Sequence, residues 1–176
     1  MFRETAIERS ADISRCGRYR WWLKREWGAG PDILWVMLNP ARADDSRDDP
    51  TVKRVIHFSR SWGFGAATVV NLYPFRTTLP VECRAWAVSD PAALNRIRQN
   101  DRAIAELAVS ATAVIAAWGT VPWAQLRAKH VASKLARIGV PPLQCLGKTA
   151  DGSPLHPMAR GRMRVADDRQ STTWTA

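Results

Sequence analysis

Hydrophobic and polar positions follow one another along the chain in blocks that predict a repeating order of strands and helices. Four short apolar runs bounded by turn residues have the length of buried strands, and they cover residues 33–38, 67–73, 112–119 and 143–147. Between them, apolar residues recur at the spacing of an amphipathic helix. This alternation is typical of a parallel sheet covered by helices on both faces. We therefore expect an α/β fold, a three-layer sandwich with a four-stranded, mostly parallel central sheet flanked by helices.

Capping residues predict where the three helices begin and end. Asp49 can cap the first helix, and Gly63 can end it. An Asp-Pro pair at 90–91 repeats the same kind of opening before the second helix. Pro122 can open the third helix, which Gly139 can end. A longer connection, over residues 74–89, is expected between the second strand and the second helix.

The chain is expected to form a single domain over residues 1–176, because its length suits one hydrophobic core and no repeat divides it. In the first part, cations alternate with aromatic residues from Arg18 to Trp22, which predicts a strand or a hairpin arm. This arm could pack on the core or contact nucleic acid. The expected parts are a basic and aromatic arm over 1–30, an α/β core over 31–147, a DNA-contacting loop over 148–165 and a flexible tail over 166–176.

The charge balance indicates a polyanionic partner. The net charge is +10, with 26 Lys and Arg against 16 acidic residues, and neutralising phosphates releases their counterions. Nine tryptophans add surfaces on which bases could stack. The three cysteines and three histidines are scattered, so neither a metal nor a cofactor is expected. Since no apolar run is long enough for a bilayer and no leader is recognised, we expect a cytoplasmic protein with no membrane partner.

Polar residues stand directly after the predicted strands. Asn39 and Pro40 follow the first strand, Asn71 lies near the end of the second, and Trp118 and Gly119 end the third. Because ligands bind at the carboxyl edge of such sheets, these residues are expected to gather at one edge. The chain has no dinucleotide fingerprint, P-loop or nucleophile elbow. A side-chain amide can instead read a base edge or hold a water against an electrophilic carbon.

Four stretches resemble motifs of the uracil-DNA glycosylase superfamily, in the same order along the chain. LNP at 38–40 resembles the first motif of its mismatch-specific thymine/uracil branch, and VVNLYPFRTT at 69–78 resembles the strand that ends on a base-reading Asn. AVIAAWG at 113–119 is similar to the strand ending in Trp-Gly, and LHPMARGRM at 155–163 to the His-Pro motif. The whole chain also looks like a bacterial domain family of unknown function. The resemblance implies a uracil-DNA glycosylase-like fold.

The resemblance implies a monofunctional DNA glycosylase, which flips a base out of duplex DNA and hydrolyses its N-glycosidic bond. Asn39 would position the attacking water, Pro40 would hold the turn that aims it, and Asn71 would hydrogen-bond the base. His156 would stabilise negative charge on the leaving base, and Met158 or Arg160 would be the wedge that replaces the base. The remaining implied contacts are Tyr73, Phe75 and Trp118 for the base, and Arg76, Met158, Arg160, Arg162 and Arg164 for the DNA.

The acidic stretch DDSRDDPT at 44–51 has no counterpart in the resemblance, so one of its aspartates could activate the water instead of Asn39. Asp44 and Asp48 are the preferred candidates, with Asp45 also open. Asp49 is the least favoured, because it already has a role as a helix cap.

Residues Met158 and Ala159 replace the second half of the His-Pro motif, so the pocket specific for uracil is not reproduced. This difference favours a modified base, for example a bulky hypermodified pyrimidine of phage DNA such as glucosylated hydroxymethylcytosine. The protein would then be an antiphage defence enzyme.

Two other functions stay open from the sequence. A non-enzymatic nucleic-acid-binding module would use the same basic and aromatic surface. A hydrolase of free nucleosides or nucleotides would use the same strand ends without needing a duplex. The expected partner is duplex DNA with a flipped base, and the protein is expected to be a monomer. The glycosylase hypothesis requires that Asn39, Asn71 and His156 face one pocket.

Overall fold

A computed structural model describes residues 6–175 and shows a mixed sheet with helices on both faces. Its strands are β1 Glu8–Ile13, β2 Arg20–Glu26, β3 Asp32–Met37, β4 Ala66–Asn71, β5 Ala113–Ala116, β6 Gln144–Cys145 and β7 Thr172–Thr173. Its α-helices are α1 Pro50–Ser61, α2 Pro80–Ser89, α3 Ala93–Ser110 and α4 Gln125–Arg137. Two 3₁₀ turns, Pro122–Ala124 and Gly161–Met163, complete the regular structure. Within the described residues, no helix has both the length and the apolar character needed to cross a membrane.

The predicted four-stranded, mostly parallel sheet is wrong. The sheet has seven strands in the order β1-β2-β4-β3-β5-β6-β7. β3 pairs in parallel with β4 and β5, and β5 with β6, whereas the pairs β1-β2, β2-β4 and β6-β7 are antiparallel. Half of the six pairings are therefore antiparallel. Three further strands extend the four predicted ones: β1 and β2 on one side and β7 on the other. The apolar runs did not predict these three strands.

The arm over 1–30 contributes two of the additional strands. β1 and β2 form a hairpin, and β2 adds to the sheet beside β4, with Leu23 opposite Val69. Trp21 and Leu23 of β2 are buried, because their side chains pack on the cores that the sheet covers. The arm is thus part of the sheet, and its residues 1–5 lie outside the described residues.

The segment over 166–176 differs from the flexible tail that the sequence predicts. Its β7 pairs with β6, and the Trp174 backbone N–H donates to the Leu143 carbonyl at 2.7 Å. The indole N–H of Trp174 donates to the Gly152 carbonyl at 3.0 Å, and the ring is buried. A tryptophan near the end of the chain anchors the segment to the core, and Ala176 lies outside the described residues.

Two hydrophobic cores lie on opposite faces of the sheet. Side chains alternate along β3. Leu34 and Val36 pack towards α2, α3 and α4, whereas Ile33, Trp35 and Met37 pack towards α1. The indole N–H of Trp35 donates to Ser59 Oγ of α1 at 3.0 Å. Because β3 pairs with β4 on one side and with β5 on the other, the strand order changes direction at β3. Its carboxyl end is therefore the place where α/β sheets form ligand crevices.

Helix α2 was not predicted from the hydrophobic pattern. Cys83 and Trp86 are its buried residues, while Val81 and Val88 are exposed, so the helix lacks a clear apolar stripe. By contrast, α1 begins where the capping residue predicted it: the Val52 backbone N–H donates to Asp49 Oδ1 at 2.9 Å. This cap fixes Asp49 beside the carboxyl end of the sheet.

Candidate functional site

A cavity of about 380 Å³ opens at the carboxyl ends of β3, β4 and β5. Its volume lies within the range of small-molecule sites. We call it the strand-end cavity, and its lining includes Asn39, Asn71, Trp118 and His156, which the sequence singled out, and also Arg20 and Asp49. The loop that carries His156 thus meets the ends of three strands at one site.

Asn39 presents an amide whose orientation is fixed by two carbonyl groups. Its Nδ2 donates to the Thr77 carbonyl at 2.7 Å and to the Pro40 carbonyl at 3.2 Å. The Thr77 backbone N–H donates back to the Pro40 carbonyl at 2.9 Å, which ties the two loops together. Because both donors of the amide are used, Oδ1 is the atom left to interact with a ligand. Asn39 therefore offers a hydrogen-bond acceptor to the cavity.

Asn71 has the opposite arrangement. Its side-chain Oδ1 accepts a hydrogen bond from Nη2 of Arg20 at 3.2 Å. Its backbone carbonyl accepts one from Nδ2 of Asn100 at 2.8 Å. Both contacts are buried, so the amide at the end of β4 has a defined orientation. Since Oδ1 is used by Arg20, Nδ2 is the group left for a ligand. Asn71 therefore offers hydrogen-bond donors to the cavity.

His156 is held as a neutral ring with its proton on Nε2. The Met158 backbone N–H donates to His156 Nδ1 at 3.0 Å, and a nitrogen that accepts a hydrogen bond carries no proton. Burial lowers the pKa of His156 to about 4, against the opposing effect of the negative charge of Asp49. At neutral pH the imidazole is therefore uncharged, and its Nε2–H is a donor.

Two glycines allow the His156 loop to approach the strand ends. Gly119 has φ +77°, and a Cβ at this position would lie 3.3 Å from His156 Cβ. Gly147 has φ +131°, and a Cβ there would lie 3.2 Å from Leu155 Cδ1. The Leu155 backbone N–H donates to the Gly147 carbonyl at 2.9 Å. The position of His156 thus depends on the absence of a side chain after Trp118.

The structure does not bring Asp44 or Asp48 to the strand-end cavity. Asp44 Oδ1 accepts from the Ser46 backbone N–H at 3.0 Å, the Ser46 hydroxyl at 2.8 Å and the Arg47 backbone N–H at 2.9 Å. These hydrogen bonds, led by the Ser46 hydroxyl, lower the pKa of Asp44 to about 2. Asp48 pairs with the buried Arg25, whose Nε donates to Oδ1 at 2.6 Å. Both carboxylates hold the loop and are engaged outside the cavity.

Asp49, the least favoured aspartate from the sequence, is the one that lines the cavity. Its Oδ1 is used in capping α1, so Oδ2 is the oxygen left for a ligand. Helix capping and a role in the cavity are therefore compatible, since a carboxylate has two oxygens. In residues 6–175, no group of three or more His, Cys, Asp or Glu side chains is arranged to hold a metal ion.

Arg20 is a buried cation in the cavity wall, with 3% of its surface exposed. Its Nη1 donates to the Ala43 carbonyl at 3.0 Å and its Nη2 donates to Asn71. Burial lowers the pKa of Arg20 to about 10, which leaves the guanidinium charged at neutral pH. The sequence did not single out this residue for the cavity, because an arginine within a basic strand is normally a surface residue. The sequence feature that could have indicated its burial is its position between two aromatic residues, Tyr19 and Trp21.

The aromatic residues implied for base stacking have different positions. Trp118 lines the cavity and packs edge-on against Trp174, with ring centroids 5.0 Å apart. Tyr73 is buried against Trp123, at a centroid distance of 5.3 Å, and Phe75 stacks on Trp86 at 5.2 Å. Tyr73, Phe75 and Pro40 are not among the residues that line the cavity. Of the implied aromatic contacts, Trp118 is thus the one available to a ligand in the cavity.

Two arginine-lined grooves are formed by segments that also contribute to the cavity. The Arg76 groove is lined by Arg42, Arg47 and Arg76 and shares Thr77 and Thr78 with the cavity.

The Arg160 groove follows His156 in the chain and is lined by Arg54, Met158, Arg160 and Arg164. Arg162 is exposed in the 3₁₀ turn next to it. All five residues implied for DNA contact therefore lie in these grooves or beside them.

Comparison with known proteins identifies a family. The family described as "Protein of unknown function (DUF1643)" matches residues 20–158, which is most of the 176 residues. The chain belongs to the DUF1643 family. The matched span includes every residue named above for the strand-end cavity, from Arg20 to His156. No curated protein and no solved structure matches the chain.

The predicted membership of the uracil-DNA glycosylase superfamily is wrong. The matching family is DUF1643, and no match links the chain to that superfamily. The stretches that suggested it are three to ten residues long, and they depend mainly on Asn, Gly and Pro, which are common wherever a strand runs into a turn. The chemistry of Asn39, Asn71 and His156 therefore depends on their geometry in the strand-end cavity.

Proposed function

We propose that this protein is a monofunctional DNA glycosylase, which hydrolyses the N-glycosidic bond of a base that has left the duplex. The observation that supports this function best is the division of the strand-end cavity into acceptors and donors. Asn39 Oδ1 and the Asp49 carboxylate are acceptors, whereas Asn71 Nδ2, His156 Nε2–H and the Arg20 guanidinium are donors. Hydrolysis of the N-glycosidic bond requires both kinds of group, because the attacking water must lose a proton while the base departs with negative charge.

The acceptor groups act on the water and the sugar. Asn39 Oδ1 accepts a hydrogen bond from the attacking water and directs the oxygen lone pair towards C1′ of the sugar. Asp49 accepts the proton that the water loses, as a general base. Its negative charge also stabilises the oxocarbenium-like transition state that glycosidic cleavage passes through. The proposal assigns to Asp49 the role that the sequence had suggested for Asp44 or Asp48.

The donor groups act on the leaving base. Negative charge develops on the base as its bond to the sugar breaks, and preorganised donors stabilise that charge. Asn71 donates from Nδ2, and His156 donates from Nε2 as a neutral imidazole. A neutral ring can perform this role throughout the neutral pH range, since the pKa of His156 is about 4. Charge stabilisation, rather than a strong acid, is the source of the rate enhancement.

The arginine grooves support duplex DNA as the partner. They lie next to the cavity on a chain with net charge +10, and a base must leave the stack to enter the cavity. Met158 lines the Arg160 groove, and its backbone N–H holds His156, so a Met158 wedge and the histidine would move together. The proposal includes a monomeric protein in the cytoplasm that acts without a cofactor.

The test is base release from a set of DNA substrates. Wild-type protein is incubated with uracil-containing DNA and with phage DNA that carries glucosylated hydroxymethylcytosine, and alkali-labile sites are counted. The second substrate tests the antiphage role. We expect alkali-labile sites in at least one of these DNAs, and their absence from both would overturn the function. Salt-dependent binding without turnover would instead indicate a binding module, and release of base from free nucleosides alone would indicate a nucleoside hydrolase.

Replacing Arg160 and Arg162 together by alanine is expected to weaken DNA binding and to change the cleavage step little. Each lost phosphate contact lowers the slope of log affinity against log salt by about 1, so we expect a decrease of about 2. Lys134→Ala combined with Arg137→Ala is the matched control, because it also removes two positive charges, from the last turn of α4, and neither residue lines a groove. The measurement is a salt titration of DNA affinity, and equal slopes for all three proteins would exclude the Arg160 groove as a DNA contact.

Gly119→Ala is expected to slow base release about tenfold, because small displacements of a catalytic group are costly. The added Cβ would lie 3.3 Å from His156 Cβ, at a residue with φ +77°. Gly139→Ala is the control: φ is +84° and no atom lies within 4 Å of the added Cβ. Both variants lose about 1–2 kcal/mol of stability from the left-handed backbone, so thermal unfolding should change alike. Equal rates of base release in the two variants would contradict the importance of this contact.

A further inference from the structure

Arg20 is a buried charge that forms no ion pair with a carboxylate of the described residues. Its two hydrogen bonds go to a carbonyl and to a side-chain amide, and no ion pair with it is formed among residues 6–175. The carboxylate that most stabilises its charge, Asp49, does so without direct contact. Burying a cation is costly unless it is paired. The guanidinium therefore has an unmet requirement for negative charge at the cavity wall.

The guanidinium also retains unused donors. It has more N–H groups than its two hydrogen bonds use, and its Nε has no hydrogen-bond partner within residues 6–175. Arg76, which lines the adjoining Arg76 groove, likewise has a buried Nε with no hydrogen-bond partner in the part of the chain that the structure describes. Arg76 and Arg25 both act on Arg20 as like charges. A ligand with negative charge in the cavity would relieve this repulsion.

Arg20 and Asn71 act as one recognition unit. Because Nη2 of Arg20 holds the Asn71 Oδ1, the Asn71 amide must turn its Nδ2 towards the ligand. A base edge that faces this pair meets donors from both residues. Carbonyl oxygens and ring nitrogens that carry negative charge satisfy such an edge, whereas an exocyclic amino group does not.

We propose that Arg20 and Asn71 form an anion subsite for the oxo group of the leaving base, and that the preferred substrate is a pyrimidine that departs as an oxyanion. The proposal rests on the proposed function for its substrate and names the chemical class of that substrate. A pyrimidine with an oxo group beside the glycosidic nitrogen places the developing charge on that oxygen. The cation of Arg20 then stabilises the departing base more than it stabilises the base still attached to the sugar.

The experiment measures binding of free bases, independently of catalysis. Uracil is the neutral probe, and 5-nitrouracil, which is ionised at mildly alkaline pH, is the anionic probe, with inorganic phosphate as a third ligand. Affinities are measured by calorimetry for wild-type protein, Arg20→Met and Arg20→Lys. A charge-assisted hydrogen bond is worth about 1.5–3 kcal/mol. We therefore expect wild type to bind the pyrimidine anion about 10- to 100-fold more tightly than uracil, Arg20→Lys to keep part of this preference and Arg20→Met to lose it.

Three results would overturn the subsite. These are equal affinities of wild type for the two pyrimidines, a preference that persists in folded Arg20→Met, and tighter binding of phosphate than of the pyrimidine anion. The affinities of wild-type protein for uracil and 5-nitrouracil test the subsite even where a variant does not fold. Failure of this experiment leaves base release from DNA untouched, whereas anion binding without any base release would overturn the proposed function and leave the subsite intact.

Discussion

Replacing Asp49 by asparagine is expected to slow base release about 100- to 10,000-fold, the range typical of losing a general base. The change removes the negative charge and keeps the cap, since asparagine caps helices as well as aspartate does. The side-chain oxygen that accepts from the Val52 backbone N–H at 2.9 Å is preserved. Thermal unfolding should therefore be close to that of wild type, and the loss should be confined to the single-turnover rate of base release.

Asp45→Asn is the matched control, because Asp45 is exposed in the same loop and the change in charge is identical. Asp44→Asn and Asp48→Asn complete the series, and both are expected to affect stability more than rate, since their carboxylates hold the loop and Arg25. A wild-type rate in Asp49→Asn, or a larger loss in Asp44→Asn, would show that the water is activated elsewhere.

Asn39→Ala is expected to slow base release about 100-fold, at the lower end of the range for groups that orient a reacting water. The variant loses Oδ1, the acceptor that the proposed mechanism uses. It also loses the hydrogen bond to the Thr77 carbonyl at 2.7 Å, which should reduce stability by about 1 kcal/mol. DNA affinity should remain unchanged, because the arginine grooves are intact. The measurement is a single-turnover rate together with a binding titration.

Asn95→Ala provides the control for Asn39→Ala, since Asn95 is exposed on α3. Combining Asn39→Ala with Asp49→Asn gives a further test. If both residues act on one water, their effects are not additive, and the double variant should be little slower than the slower single variant. Fully multiplicative losses would indicate that the two residues act on different groups.

The location of the cavity could be predicted from the sequence because it depends on local patterns. Short apolar runs fix where β3, β4 and β5 end, and parallel strands bring those ends to one edge of the sheet. Asn39, Asn71 and Trp118 consequently line one cavity. His156 joins them through a loop whose glycine neighbours are also visible in the sequence.

The rest depended on contacts between distant parts of the chain. β2 joins the sheet through its register with β4, and this brings Arg20 to Asn71, 51 positions later. Asp48 is turned away from the cavity by the buried Arg25, which leaves Asp49 as the cavity carboxylate. No periodicity distinguishes these neighbouring aspartates. Tyr73 and Phe75 illustrate the same limit, because the sequence does not distinguish an aromatic residue that packs in a hydrophobic core from one that stacks on a nucleic-acid base.

Hydrolysis in the strand-end cavity is tested most directly by the masses of the products formed from DNA in heavy-oxygen water. We expect an intact strand with an abasic sugar that carries one oxygen atom from the solvent, together with the free base, which carries none. Asp49→Asn should form neither product at a comparable rate. Strand cleavage without release of a base, or no product from wild-type protein on any DNA that it binds, would contradict hydrolysis of a glycosidic bond in the strand-end cavity.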